Sequence, residues 1–321
     1  MDFLGKRIIL SLVAFFAALN LDFILPRLAP GSAAEILASG SKLPAVEVAL
    51  ITARFGLNQP LSTQYLLYLK NVFSWPPYFG VSYQFFPQPV TQLIAYRLVW
   101  TIILVASSFF LSFAISYTLA GISSMKRGGK FEFGSVFGSI MLWSTPAFWI
   151  GMILIWIFGV WLRLLPISGN VAFNAGTGLN YDYSVLVHAI LPVLTLTAVV
   201  FGQSYFILRG AAQETLKSDY VLSARARGMT ERVIAFGYVL RNSLLPVISL
   251  LGYSVASLLS AVVIVEAVFG YPGIGDLIVD GVVNRDYPVL EGSFFYVTLV
   301  VILGSLLGDF LLLKLDPRLR R

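Results

Sequence analysis

Residues able to do chemistry are few in this chain, and they concentrate in one polar stretch, Ser218-Asp219-Tyr220-Val221-Leu222-Ser223-Ala224-Arg225-Ala226-Arg227-Gly228. Elsewhere the usual catalytic patterns fail. Gly129-Lys130 resembles the end of a phosphate-binding loop, but Ser124 then stands where the first glycine belongs and Phe131 where the hydroxyl belongs. There is no nucleophile elbow and no cluster of metal-ligating residues. The single histidine, His188 near Pro192, cannot hold a metal alone and is expected to be an interfacial or hydrogen-bonded helix residue. With no cysteine, disulfides and thiolate metal sites are excluded. The expectation is therefore no catalytic residue, no metal and no cofactor in this chain.

The polar stretch reads as a short helix of about two and a half turns. Ser218 is placed to cap its start, with Asp219 near the positive end of the helix dipole. Gly228 is placed to stop it, because glycine takes the left-handed conformation at little cost. Ser223, Ala224 and Ala226 are small, so another surface can approach closely, and Arg225 and Arg227 can pair with acidic groups on a partner. A second helical pattern, Thr230 to Asn242, leads back to Leu245-Pro246. Two readings fit these residues. One is an ordinary basic loop that holds topology. The other is a docking element, favoured by a capped helix with small residues in it.

The elements around this stretch are set by composition. Of 321 residues, 58% are hydrophobic and 12% charged, against about 25% charged in a soluble domain. Only lipid can absorb so much apolar sequence. The +6 net charge is spread over loops, without a basic face interleaved with aromatics, so no nucleic-acid partner is expected.

Six apolar runs have spanning length. The first, Ile8 to about Leu28, follows Lys6-Arg7. A cleaved leader is its rival, since Ser32-Ala33-Ala34 are small, but the run is too long for one. Asp22 interrupts it, either reaching the interface or marking an aqueous path or partner. Residues 29–92 form a proline-rich polar segment, with short helices expected over Ala45 to Phe55 and Leu61 to Phe73. Further spans follow over about Leu93 to Gly121, Phe133 to Trp161 (broken by Pro146), Tyr183 to Leu208 (kinked by Pro192), Pro246 to Phe269 and Ser293 to Leu313. Val279 to Arg285 could add a short helix. The expected fold is an all-α polytopic membrane protein. It has six transmembrane helices, a cytoplasmic helix at about 218–228 and a sizeable extracytoplasmic loop after the first span. The segments are 1–28, 29–92 and 93–321.

Six spans put both termini on one side. That side receives fifteen of the 22 Lys and Arg, so the positive-inside bias makes the termini and the 218–228 stretch cytoplasmic. Within the spans, Trp143, Pro146, Gln203 and Glu266 are the groups that could line a solute pathway, with packing or snorkelling as the plainer alternative. Asp309 is a further polar group at a span edge. Uphill transport would need energy from ions or from a nucleotide-hydrolysing partner. No internal repeat is evident and mid-span charges are sparse, which disfavours a self-sufficient ion-coupled carrier or channel.

Several segments, in order along nearly the whole chain, resemble the permease subunits of binding-protein-dependent ABC importers, in the dipeptide/oligopeptide subgroup. They begin with Arg27-Leu28-Ala29-Pro30-Gly31, Phe55-Gly56-Leu57-Asn58-Gln59-Pro60-Leu61, Phe79-Gly80-Val81-Ser82-Tyr83 and Leu191-Pro192-Val193-Leu194-Thr195-Leu196. Asp219-Tyr220-Val221 with Ala224-Arg225-Ala226-Arg227-Gly228 resembles the family's coupling motif, continued by Arg241-Asn242-Ser243-Leu244-Leu245-Pro246. Val265-Glu266-Ala267-Val268-Phe269, Tyr271-Pro272-Gly273-Ile274-Gly275, Asn284-Arg285-Asp286-Tyr287-Pro288 and Leu315-Asp316-Pro317-Arg318 complete the set. Where many ABC importers open the motif with an acidic residue, six before Gly228, this chain has Leu222.

The resemblance implies a multi-pass subunit of the cell (plasma or inner) membrane that is not itself an enzyme. Its implied partners are a second homologous permease, two ABC ATPase subunits carrying Mg-ATP, an extracytoplasmic solute-binding protein and membrane lipid. It further implies that ATPase closure moves the 218–228 helix and switches the pathway. Tyr220, Arg225 and Arg227 would contact the ATPase, Ser223, Ala224, Ala226 and Gly228 serve close packing and the turn, and Asp219 belongs to the same coupling set. Oligopeptide is the expected cargo and oligosaccharide the alternative.

Overall fold

The computed structural model describes residues 3–28, 44–55, 58–126, 128–249 and 251–315. The small residues 32–34, the 29–31 and 56–57 segments, Arg127 and the 316–321 tail lie outside the described residues. Among the described residues every regular element is helical, and the one β-bridge, Val81 to Pro89, is isolated.

In chain order the helices are α1 (Phe3–Leu28), α2 (Ala45–Phe55), α3 (Leu61–Val72), α4 (Val90–Met125), α5 (Lys130–Ser144) and α6 (Ala147–Leu154). A π-helical turn over Ile155–Trp161 extends α6. Then come α7 (Leu179–Thr215), α8 (Asp219–Ala226) and α9 (Glu231–Val233). A second π-helical stretch, Ile234–Val239, joins α9 to α10 (Leu240–Ser249). The last are α11 (Leu251–Phe269), α12 (Ile274–Val283) and α13 (Tyr287–Leu315).

Among the described residues five stretches are long and apolar enough to cross a membrane, namely Gly5–Leu28, Val90–Met125, Leu179–Thr215, Gly252–Phe269 and Tyr287–Leu315. A sixth exists only if α5 and α6, bent by 105° at their junction, count as one span. The break expected at Pro146 in the Phe133 to Trp161 run is thus a sharp corner. Pro146 cannot donate to the helix ladder, and Thr145 before it is extended at ψ 129°. The chain therefore turns a corner there. Pro246 does not open the fifth span as expected but lies inside α10. The second short helix near 280 begins earlier than expected, at Ile274.

α4 has 36 residues and α7 has 37. At 1.5 Å per residue each is about 55 Å long, whereas the hydrocarbon is about 30 Å thick. Each must tilt or project into water. The last turns of α7 can thus carry the polar stretch clear of lipid.

The chain divides into two compact units. One comprises Met1–Ile8, Ile102–Tyr271 and Leu303–Arg321. In it α7 is the central element, packed by α5, α6, α10 and α11. α7 and α5 approach closely at Gly202, where an added Cβ would sit 2.6 Å from both the Ser139 carbonyl and the Trp143 Cβ. Near the start of α7, His188 Nδ1 lies 2.7 Å from the Ser184 carbonyl, so that nitrogen donates. It is the hydrogen-bonded helix residue expected.

The other unit comprises Ile9–Thr101 and Pro272–Ile302. Several of its polar groups pair across long stretches of sequence. Arg27 Nη1 donates to Glu291 Oε1 at 2.7 Å and to the Phe23 carbonyl at 2.8 Å. Arg97 donates to Asp276 at 2.8 Å, and the Ser82 hydroxyl to Asp286 at 2.5 Å. Burial pushes both Asp276 and Asp286 above the usual carboxylate range. Asp22 is buried, and the Tyr68 hydroxyl of α3 donates to it at 2.9 Å.

Candidate functional site

α8 forms where the sequence placed it. Ser218 occupies the N-cap with extended backbone, but its hydroxyl does not cap the helix. It donates instead to the Thr215 carbonyl at 2.5 Å, tying the turn back to the end of α7. Asp219 supplies the negative charge of the first turn.

The other end matches expectation. Gly228 sits at φ +75°, a conformation that costs other residues strain. Its N–H donates to the Arg225 carbonyl at 2.9 Å, and that of Met229 to the Ala224 carbonyl at 3.3 Å. These two bonds define a Schellman stop.

Side chains divide α8 into two faces. Val221 and Ala224, three residues apart and so on one side of a helix, are fully buried. They join a core made of Leu208 and Ala212 from α7, Ile234 and Val239 from the π-helical stretch, and Leu240 from α10. Ala224 thus packs against its own chain, with its small size allowing α8 to lie close to α7. The opposite face carries Asp219, Tyr220, Leu222, Ser223, Arg225, Ala226 and Arg227, all exposed. Leu222 is 68% exposed and Tyr220 41%. An apolar residue on a water-facing helix, beside charges, is what an interaction surface offers.

The two arginines are not alike. Arg225 Nε and Nη2 donate to the two Glu231 oxygens at 2.9 and 3.1 Å. Donating to the Glu231 carboxylate holds the guanidinium even more firmly protonated than usual. Arg227 makes a long contact, 3.4 Å, to the Ser223 carbonyl, the one hydrogen bond of its guanidinium among the described residues. The Tyr220 hydroxyl accepts from Asn242 Nδ2 at 3.2 Å.

Two clefts flank this surface. One of about 640 Å³ is lined by Tyr220, Gly237, Tyr238, Arg241 and Asn242. The other, about 540 Å³, is lined by Arg232, Val233, Phe236 and Gly237.

Behind α8 the end of α7 is clamped. Arg209 donates twice to Glu132 Oε1, at 3.0 and 2.6 Å, and Gln213 adds a third bond at 3.1 Å. The Gly128 N–H donates to the other Glu132 oxygen at 2.6 Å. Neither Glu132 nor Arg209 was singled out from sequence, because they meet across 77 residues. Glu231 was legible in principle, as an acid opening a helix just beyond a basic one.

The four pathway candidates do not share one accessible surface. Trp143 and Pro146 are exposed, Gln203 is half-buried, and Glu266 is fully buried in α11. Trp143 stacks obliquely near Phe206 of α7, ring centroids 6.1 Å apart, and abuts Gly202, the neighbour of Gln203. Pro146 forms the 105° corner. The carbonyl of Glu266 accepts from the Tyr271 N–H at 2.8 Å, and burial together with the Glu266 charge raises the Tyr271 phenol above its usual value. Among the described residues no group of three or more acidic or imidazole side chains could hold a metal.

Comparison with known proteins agrees across the full length. Residues 116–321 match the family model for the binding-protein-dependent transport system inner membrane component. Residues 1–105 match the N-terminal model of the same kind of membrane component. The chain is 33% identical over 315 residues to the probable peptide ABC transporter permease protein y4tP of Sinorhizobium fredii, covering 98% of each chain. It is 32% identical over 315 residues to the oligopeptide transport system permease protein AppB of Bacillus subtilis, again covering 98% of each. It is also 32% identical over 345 residues to the di/tripeptide transport system permease protein DppB of Pseudomonas aeruginosa, covering 100% of this chain and 99% of that one.

Proposed function

Because the chain belongs to the family of binding-protein-dependent transport system inner membrane components, as a dipeptide/oligopeptide-type permease, we propose that it is the passive gate of an ATP-driven peptide importer, worked through α8. It is a multi-pass membrane permease subunit of an ABC peptide importer. The finer reading is as follows. Both termini and α8 face the cytoplasm. The chain pairs with a second, similar permease, a solute-binding protein delivers the peptide from outside, and two ATPase subunits hydrolyse Mg-ATP. One ATPase receives the exposed face of α8 through Asp219, Tyr220, Ser223, Ala226 and Arg227.

The observation that carries this reading is the two-faced burial of α8. Val221 and Ala224 are fully buried while Leu222, one residue away, is 68% exposed. Force applied to the outer face passes through close-packed side chains, which yield little, into α7 and α10. Those helices reach the spans, so a displacement of α8 becomes a displacement of the gate. Peptide is the proposed cargo because the relatives are named for peptides.

The test is import into vesicles of a defined complex. Peptide delivered by its binding protein should accumulate only when this chain, the second permease and the ATPases are all present with ATP. Accumulation by this chain alone, driven by an ion gradient, would replace the reading with a self-sufficient carrier.

A further inference from the structure

Glu231 is a charged group at this site that the transport reading leaves without a task. It is the first residue of α9, and its carboxylate receives both forks of Arg225, across the Gly228 turn. Arg225 lies in the last turn of α8 and Glu231 in the first turn of α9, so each also sits at the helix end that favours its charge. A two-pronged guanidinium–carboxylate contact fixes direction as well as distance, which a lysine could not do.

We propose that Glu231 is a positioning residue, holding Arg225 against its own chain so that the pair sets the angle between α8 and α9 and Arg225 does not spend its charge on an ATPase carboxylate. The inference rests on the reading of α8 as the coupling helix and assigns roles within it. The Schellman stop fixes the backbone path at Gly228 and Met229. The ion pair is a second tie across the same turn. Two ties make a corner, whereas one makes a hinge. A push received by α8 then reaches α9 and the π-helical stretch beyond it without being lost in bending. On α8, Arg227, whose guanidinium makes the long Ser223 contact alone among the described residues, remains the arginine able to meet a partner.

The two side chains are 44% and 52% exposed, and pairs this exposed contribute little to folding. Alanine variants should therefore fold and assemble. The experiment is a double-mutant cycle in the complete complex: Arg225→Ala, Glu231→Ala and both together. Two quantities are read, the stimulation of ATP hydrolysis by the loaded binding protein and the amount of ATPase that copurifies. Each single change is expected to lower stimulation about two- to five-fold, leaving copurification unchanged. The double change should be no worse than the poorer single one, because residues acting through each other do not add. Glu231→Gln, which keeps the shape but not the charge, should fall between.

Multiplying losses would overturn the assignment. So would reduced copurification with Arg225→Ala but not with Glu231→Ala, which would place Arg225 on the ATPase. Full stimulation in Glu231→Ala would overturn it as well. If the unaltered chain copurifies with no ATPase, the coupling-helix reading itself falls, and this is seen before any variant is made.

Discussion

The Glu132 carboxylate accepts two hydrogen bonds from the Arg209 guanidinium, at 3.0 and 2.6 Å, joining the start of α5 to the end of α7. Glu132 is only 8% exposed, and removing one partner of a buried pair strands the other. Arg209→Ala should destabilise the protein by about 3 kcal/mol. Glu132→Gln should cost less, since an amide oxygen still accepts from the guanidinium and the Arg209 charge it leaves unpaired is 26% exposed. Thermal unfolding of the detergent-purified chain would rank the two. Equal, small effects would mean that water reaches the pair.

Val221 and Ala224 seat α8 on its own chain. Val221→Ala removes buried methyl groups worth about 1–2 kcal/mol. Ala224→Leu adds bulk to a filled core at about 1–3 kcal/mol and lifts α8 off α7. Both should lower binding-protein-stimulated ATP hydrolysis, Ala224→Leu more. By contrast Ser223→Ala, on the exposed face, should leave melting of the chain unchanged.

Gly228 is a purely conformational position. An added Cβ would meet nothing within 4 Å, yet φ is +75°. Gly228→Val should therefore cost about 1–2 kcal/mol of backbone strain. Gly228→Asn, which tolerates that region better, should cost less. Unfolding midpoints separate the two. If both behave alike, the turn has relaxed to another conformation.

Two α7 glycines should respond with opposite signs. A Cβ at Gly202 would overlap the Ser139 carbonyl and Trp143, each at 2.6 Å, whereas one at Gly210 meets nothing. Gly202→Ala should destabilise by about 1–3 kcal/mol as α5 is pushed away. Gly210→Ala should stabilise by about 0.5–1 kcal/mol, because alanine suits a helix interior better. Melting of the two variants side by side checks this.

Local features were legible in the sequence and distant ones were not. The Gly228 stop, the α8 bounds and the short helices near 45 and 61 follow from capping chemistry and apolar spacing, which act within a few residues. The exposed Leu222 beside the buried Val221 follows from helical periodicity once the helix is placed. The bend at Pro146 was visible as a break, but not as 105°, because the angle is set by what α6 packs on. Ser218 was expected to cap α8. Its hydroxyl instead bonds Thr215, since the α7 end offers an acceptor closer to hand. Glu132 with Arg209, and Arg27 with Glu291 across 264 residues, carry no local signature at all. Helical periodicity identifies neither partner, and only the tertiary fold brings them together.

The chain contains no cysteine, which makes a single introduced thiol specific. Ser223→Cys, on the exposed face of α8, should cross-link to an ATPase subunit in the assembled complex, and the yield should change when ATP is trapped. Cross-linking from Ser223→Cys to no ATPase, while the complex still imports peptide, would contradict the account.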